Sequence, residues 1–159
     1  MPYRDYIAMA IMLAVEVILL ILFIDKRDKR KLACTYLFTV TIATVFDTLS
    51  VALGLWSYPS NPLPGIGINL PADFLYYPFF AFFYIQYLPR RRWLPHTALF
   101  ALLSLLAEGA LLRFTTLIKY GPGMSPGLAY IQYFLAYLAL RTYITWHFKD
   151  LSIPNYPRR

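Results

Sequence analysis

The stretch "YIAMAIMLAVEVILLILFIDKRDKRK", residues 6–31, decides the fold class. Residues 6–24 carry a single ionisable carboxyl, Glu16, and five of the next seven residues are Lys or Arg. A helix needs about 20 apolar residues to cross a hydrocarbon core of about 30 Å at 1.5 Å per residue. The run is that long, and a basic cluster is how such a span ends on the cytoplasmic side. No basic segment of any weight precedes it and no small-residue cleavage pattern follows, so it is expected to stay in the protein as a helix rather than leave as a signal peptide.

The same alternation of apolar run and short polar connection repeats to the end of the chain. It predicts an all-α, polytopic five-helix transmembrane bundle in a single domain, with helices over about 6–24, 32–56, 71–88, 94–118 and 126–148. Between the second and third, "LWSYPSNPLPGIGINLP" places four prolines and two glycines within 59–71, which excludes continuous helix. The loop over 57–70 is expected to be re-entrant or a lid. Pro71 suits the first position of the third helix, Asn69 could cap it, and Pro78 should kink it.

Basic residues fix the orientation. Lys26, Arg27, Lys29, Arg30 and Lys31, then Arg90, Arg91 and Arg92, then Lys149, Arg158 and Arg159 fall in alternate connections, while the others contain only Lys119. Enrichment of Lys and Arg on the cytoplasmic side places the N-terminus outside and the C-terminus inside, a multi-pass protein of the cell membrane. Trp56, Tyr58, Trp93, Tyr120 and Trp146 fall near the interfaces, where an aromatic belt sits.

Composition agrees: 59% of the 159 residues are hydrophobic, 14% are charged, and the mean hydropathy is +0.51. A net charge of +7 could suggest nucleic acid, but the basic residues lie in clusters between spans, so no nucleic-acid partner is expected. The single cysteine, Cys34, excludes an internal disulfide and a thiolate metal site, and a packing role is expected of it. No metal-ligand spacing, GxGxxG, Walker loop or GxSxG occurs, so no metal or cofactor is expected.

Ionisable residues inside spans are costly and mark function by default. Four acids qualify: Glu16 near the middle of the membrane, Asp47 and Glu108 past it toward the outside, and Asp73 near the outer end of helix 3. Their common depth predicts one site, with Asp73 as the acid that meets substrate and Asp47 or Glu108 tuning it.

Helical phase groups each acid with small, hydroxylic or aromatic residues. The faces are Tyr36, Val40, Ala43, Asp47, Ser50 and Gly54; Asp73, Tyr76, Tyr77, Phe80, Tyr84 and Tyr87; Thr97, Ala101, Ser104, Glu108 and Thr115; and Tyr130, Tyr133, Tyr137 and Arg141. A tyrosine-walled pocket follows, with Tyr76, Tyr77, Tyr84, Tyr133 and Tyr137 lining it. Arg141 either neutralises an acid or binds an anionic head group. The same stripes would also serve as plain helix packing. Arg113 is expected to snorkel outward, and His96 and His147 to meet solvent or lipid at the cytoplasmic interface.

Buried acids facing aromatic walls suit isoprenoid chemistry, in which a carboxyl protonates an alkene or epoxide and ring faces stabilise the cation by about 0.5–2 kcal/mol each. Proton- or cation-coupled transport, or a structural or regulatory subunit, uses the same residue types. Five spans are compatible with a homo-oligomer or a partner membrane subunit.

"FDTLSVALGLWSY" at 46–58 followed by "LPADFLYYPFFAFFYIQYLP" at 70–89 resembles a family of small integral membrane proteins of spore-forming bacteria with no assigned activity. A more limited similarity is to integral membrane terpene and lycopene cyclases, which carry acids in corresponding helices. That resemblance implies catalytic roles for Asp47 and Asp73, although the paired glutamates of the cyclase segment are here the single acid of Pro71, Ala72, Asp73.

Overall fold

A computed structural model of the chain describes residues 3–59, 72–89 and 91–148, apart from the side chains of Arg4 and Tyr6. It is mostly helical: α1 (Tyr3–Phe23), α2 (Lys29–Ala52), α3 (Tyr77–Gln86), α4 (Trp93–Phe114) and α5 (Pro126–His147). A π-helical turn, Ala72–Tyr76, leads into α3. Two short strands, β1 (Trp56–Ser57) and β2 (Lys119–Tyr120), pair antiparallel with Trp56 opposite Tyr120. By length and composition α2 and α4 could each cross a membrane, and α1 holds a shorter apolar stretch, Ile7–Phe23.

Local chemistry sets several boundaries. Asp28 caps α2 by accepting from the Lys31 amide at 3.0 Å, and Ser125 caps α5 by accepting from the Leu128 amide, with Pro126 following where no amide is needed. The second helix stops at Ala52, short of the expected Trp56, because Gly54 turns the chain with φ of +67°. The fourth stops at Phe114, short of 118, where the extended Thr115 begins the approach to β2. Pro78 has no amide for a regular ladder, and the turn before it is widened into π form instead. Pro71, Asn69 and most of the expected 57–70 loop lie outside the described residues.

Three connections determine which helix ends lie together. The β1–β2 pair joins the end of α2 to the end of α4. Asp5 at the start of α1 accepts from the Thr116 amide at 3.3 Å and from its hydroxyl, adding the start of α1 to that end. At the opposite end, Gln86 of α3 accepts from the Asp25 amide and donates to the Phe23 carbonyl, both at 2.9 Å, closing the last turn of α1.

The packing is polar inside and apolar outside. Asp5, Glu16, Thr35, Asp47, Ser50, Asp73, Thr97, Ser104 and Glu108 are buried, while Ile7, Ile11, Ile18, Leu22, Leu37, Leu49 and Leu106 are exposed. The main cluster joins Ala81, Tyr84 and Ile85 of α3, Ala101 of α4, and Tyr137, Leu140 and Ile144 of α5; Cys34 packs against it. A second cluster of Trp56, Met124 and Ala129 lies under the paired strands.

Candidate functional site

Four of the five residues of the α4 face foreseen from periodicity, Thr97, Ala101, Ser104 and Glu108, are the buried ones, and the fifth, Thr115, falls past the helix end in extended backbone. Spacings of three and four keep them on one side of the helix. Thr97, Ser104 and Glu108 then meet tyrosines from α3, α5, the π-helical turn or the connection between α4 and α5. Thr97 Oγ1 lies 2.8 Å from the Tyr84 hydroxyl, and Ser104 Oγ lies 2.7 Å from the Tyr137 hydroxyl. Tyr76 donates to the Ser104 carbonyl at 3.1 Å. Glu108 accepts from two hydroxyls, Tyr120 on Oε1 and Tyr133 on Oε2.

A second acid centre lies on α2. Asp47 Oδ2 accepts from the Tyr58 hydroxyl at 2.5 Å, and Asp73 lies beside Asp47 and Thr44. Asp73 is completely buried, with its carboxyl set against the Asp47 carboxyl and Thr44. Tyr77, which approaches both Asp47 and Glu108, and Tyr133, whose ring is 6.3 Å from that of Tyr77, fill the space between the two centres.

Two cavities border these groups. The larger, about 80 Å³, runs between α2, α3 and α5. Its wall is apolar and aromatic apart from Asp47, Thr39, Gln132 and the hydroxyl and indole groups of Tyr77, Tyr133, Tyr137 and Trp56. The smaller, about 30 Å³, lies between α1 and α4 and touches Glu108, Tyr58, Tyr76, Tyr77 and Tyr133. It is of a size to hold water.

The four acids are linked through the tyrosines between them: Tyr77 approaches Asp47 and Glu108, and Tyr76 approaches Glu108 and Glu16. Asp47 and Asp73 adjoin, Glu108 is held in its own tyrosine pair, and Glu16 is buried near Tyr76, with Oε2 unpartnered among the described residues. Asp47 lines the larger cavity, whereas Asp73 is fully buried and is not among the residues that line it. Tyr84 belongs to a separate layer with Thr97, His96 and Phe100 and lines neither cavity.

Arg141 meets no acid among the described residues. Its guanidinium lies 4.0 Å from the centre of the Trp93 ring, an arrangement that gives the cation a partner without a carboxylate. His96 is partly buried; its ring stacks on Tyr84 at 5.2 Å and Nε2 lies 3.1 Å from the Tyr84 carbonyl.

Tyr58 and Tyr120, expected in an interfacial belt, are instead carried over the acids by the paired strands. Burial, and then the neighbouring Asp47 or Glu108 carboxyl, pushes both hydroxyls well above the ordinary phenol range, so each remains a donor. Sequence reasoning missed Asp5, Gln86 and Gln132. Asp5 precedes the apolar run and was counted outside it. Both glutamines lie within expected spans, where an uncharged amide is itself a signal.

A search of protein-family models, of curated proteins and of solved structures finds no match to the chain.

Proposed function

We propose that the chain is a five-span protein of the cell membrane, N-terminus outside and C-terminus cytoplasmic, that binds a hydrophobic lipid or isoprenoid-like molecule and presents it to the Asp47–Asp73 pair. The membrane reading draws on the inverted packing. Buried carboxyls and hydroxyls under a coat of exposed Ile, Leu and Val suit a hydrocarbon solvent, which supplies no drive to hide those side chains. The arrangement of helix ends matches the up-and-down order that the basic clusters call for.

One observation carries the functional reading: an apolar, aromatic cavity has in its wall an acid, Asp47, backed by a second, fully buried acid, Asp73. Two adjoining carboxyls in a low-dielectric interior favour holding one proton between them. Passing that proton to a ligand alkene would form a C–H bond and leave a cation facing Tyr77, Tyr133 and Tyr137. Loss of an adjacent ligand hydrogen to Asp47 would return the proton and leave an isomerised or cyclised product. In this scheme Asp47 is the catalytic residue and Asp73 a positioning residue, in the manner of the membrane cyclases the segment resembles.

The test is the lipid extract of cells producing the protein. A product present with the wild type should disappear with Asp47→Asn, and Asp73→Asn should displace the pH profile of its formation. Identical extracts from wild type, Asp47→Asn and empty cells would refute the reading.

A further inference from the structure

Three residues that line the larger cavity each have a buried polar atom that the protein leaves without a partner among the described residues. Trp56 Nε1, Gln132 Oε1 and Thr39 Oγ1 are all buried, all belong to lining residues, and none has a hydrogen-bond partner among the described residues. Trp56 is only 7% exposed. An orphaned buried group costs about 1–3 kcal/mol, so three around one space is an arrangement that a ligand would relieve. Thr39 makes the point by contrast. Thr41, Thr48, Thr97 and Thr142 each donate to the carbonyl four residues earlier, whereas Thr39, and Thr35 away from the cavity, do not.

The chemistry of the orphans constrains the occupant. The indole N–H only donates and so needs an acceptor, the amide oxygen of Gln132 needs a donor, and a threonine hydroxyl takes either. A ligand hydroxyl offers both functions. A phosphate would satisfy the indole but would bring negative charge beside Asp47, and no lysine, arginine or histidine is among the residues lining the cavity. A bare hydrocarbon would leave all three orphans unmet. The apolar length fits a chain: Phe38 and Asp47 are nine residues apart on α2, about 14 Å at 1.5 Å per residue.

We infer that this cavity takes an uncharged, hydroxyl-bearing long-chain molecule, an isoprenoid or comparable lipid alcohol, and discriminates against the phosphorylated form. The inference rests on the cavity being the lipid site proposed above. It specifies that the ligand reaches the acids as an alcohol, so that a reaction removing phosphate must precede this protein if the precursor is a phosphate ester.

The experiment is direct binding to the purified full chain in phosphatidylcholine nanodiscs, with tritiated farnesol displaced by unlabelled farnesol, farnesyl diphosphate or the saturated hydrocarbon farnesane. Farnesol should compete at roughly tenfold lower concentration than either of the others, the effect of about one well-made buried hydrogen bond. Gln132→Leu should remove the advantage of the alcohol over the hydrocarbon without lowering the unfolding temperature, and Trp56→Phe should do the same. Because Trp56 also packs under the strands, the glutamine variant is decisive if the tryptophan variant unfolds. Equal or better competition by the diphosphate or by farnesane would overturn the inference and leave the lipid site standing. Absence of farnesol binding would overturn both.

Discussion

A Cβ added to Gly121 would stand 1.9 Å from the carbonyl oxygen of Gly54. The two residues lie in different connections, and their approach lets the Gly121 amide donate to the Leu55 carbonyl at 2.7 Å. This contact adjoins the β1–β2 pair that carries Tyr58 and Tyr120 to the acids.

The two glycines should respond differently to substitution. Gly121→Ala forces backbone against backbone and should cost about 3 kcal/mol, the upper part of the range for overpacking. Gly54 needs only its positive φ and has open space around it, so Gly54→Asn, a residue that tolerates that conformation, should be nearly neutral. Unfolding in mild detergent, with amide exchange followed at the paired strands, compares them. Equal stability of the two variants would show that the approach is not tight.

Glu108 and Tyr133 should be energetically coupled. The carboxylate receives hydroxyls from both Tyr133 and Tyr120 in a buried setting, and such bonds are worth about 1–2 kcal/mol within membranes. A double-mutant cycle with Glu108→Gln and Tyr133→Phe, read by reversible unfolding, measures the coupling; additivity within about 0.3 kcal/mol would deny it. Tyr84→Phe, whose hydroxyl bonds Thr97 in another layer, should add independently to Glu108→Gln.

Much of this arrangement was legible in the sequence because helical phase is a local property. The spacing of Thr97, Ala101, Ser104 and Glu108 is enough to put them on one face, and that face is buried whatever lies opposite. Which tyrosine meets which acid was not legible, because Tyr58 and Tyr120 come from connections and Tyr133 from a different helix. The Tyr58 and Tyr120 positions depend on a two-residue strand pair and on the Gly54–Gly121 approach, and neither leaves a periodic trace. Depth along a helix placed the four acids at similar levels, but it carries no information about angle around the bundle. Depth alone therefore does not tell which residues stand between Glu16 and the Asp47–Asp73 pair. Arg141 was misread for a related reason: an aromatic face satisfies a guanidinium as an acid does, and Trp93 is 48 residues away in sequence.

Gln86 should be the main tie on the far end of α1. Its amide group satisfies both the Phe23 carbonyl and the Asp25 amide at the turn where a helix leaves such groups open. Gln86→Leu should therefore cost about 1–2 kcal/mol and speed amide exchange at Asp25, while leaving exchange in α4 unchanged. Uniform acceleration throughout the chain would mean the residue acts on global stability instead.

The up-and-down order of the helices can be tested without any assumption about function. The contacts put Ser57 and Lys119 at one end of the bundle and the Arg27 connection, next to the Gln86 tie, at the other. The basic clusters assign the first end to the outside. In a Cys34→Ala background, Ser57→Cys and Lys119→Cys should react with a membrane-impermeant maleimide on intact cells. Both parent residues are exposed, so access should not be limiting. Arg27→Cys should react only after permeabilisation. Labelling of Arg27→Cys alone on intact cells would keep the bundle and reverse its orientation. Labelling of all three from one side would contradict the spanning arrangement itself, because residues at opposite ends of the helices cannot then be separated by a bilayer.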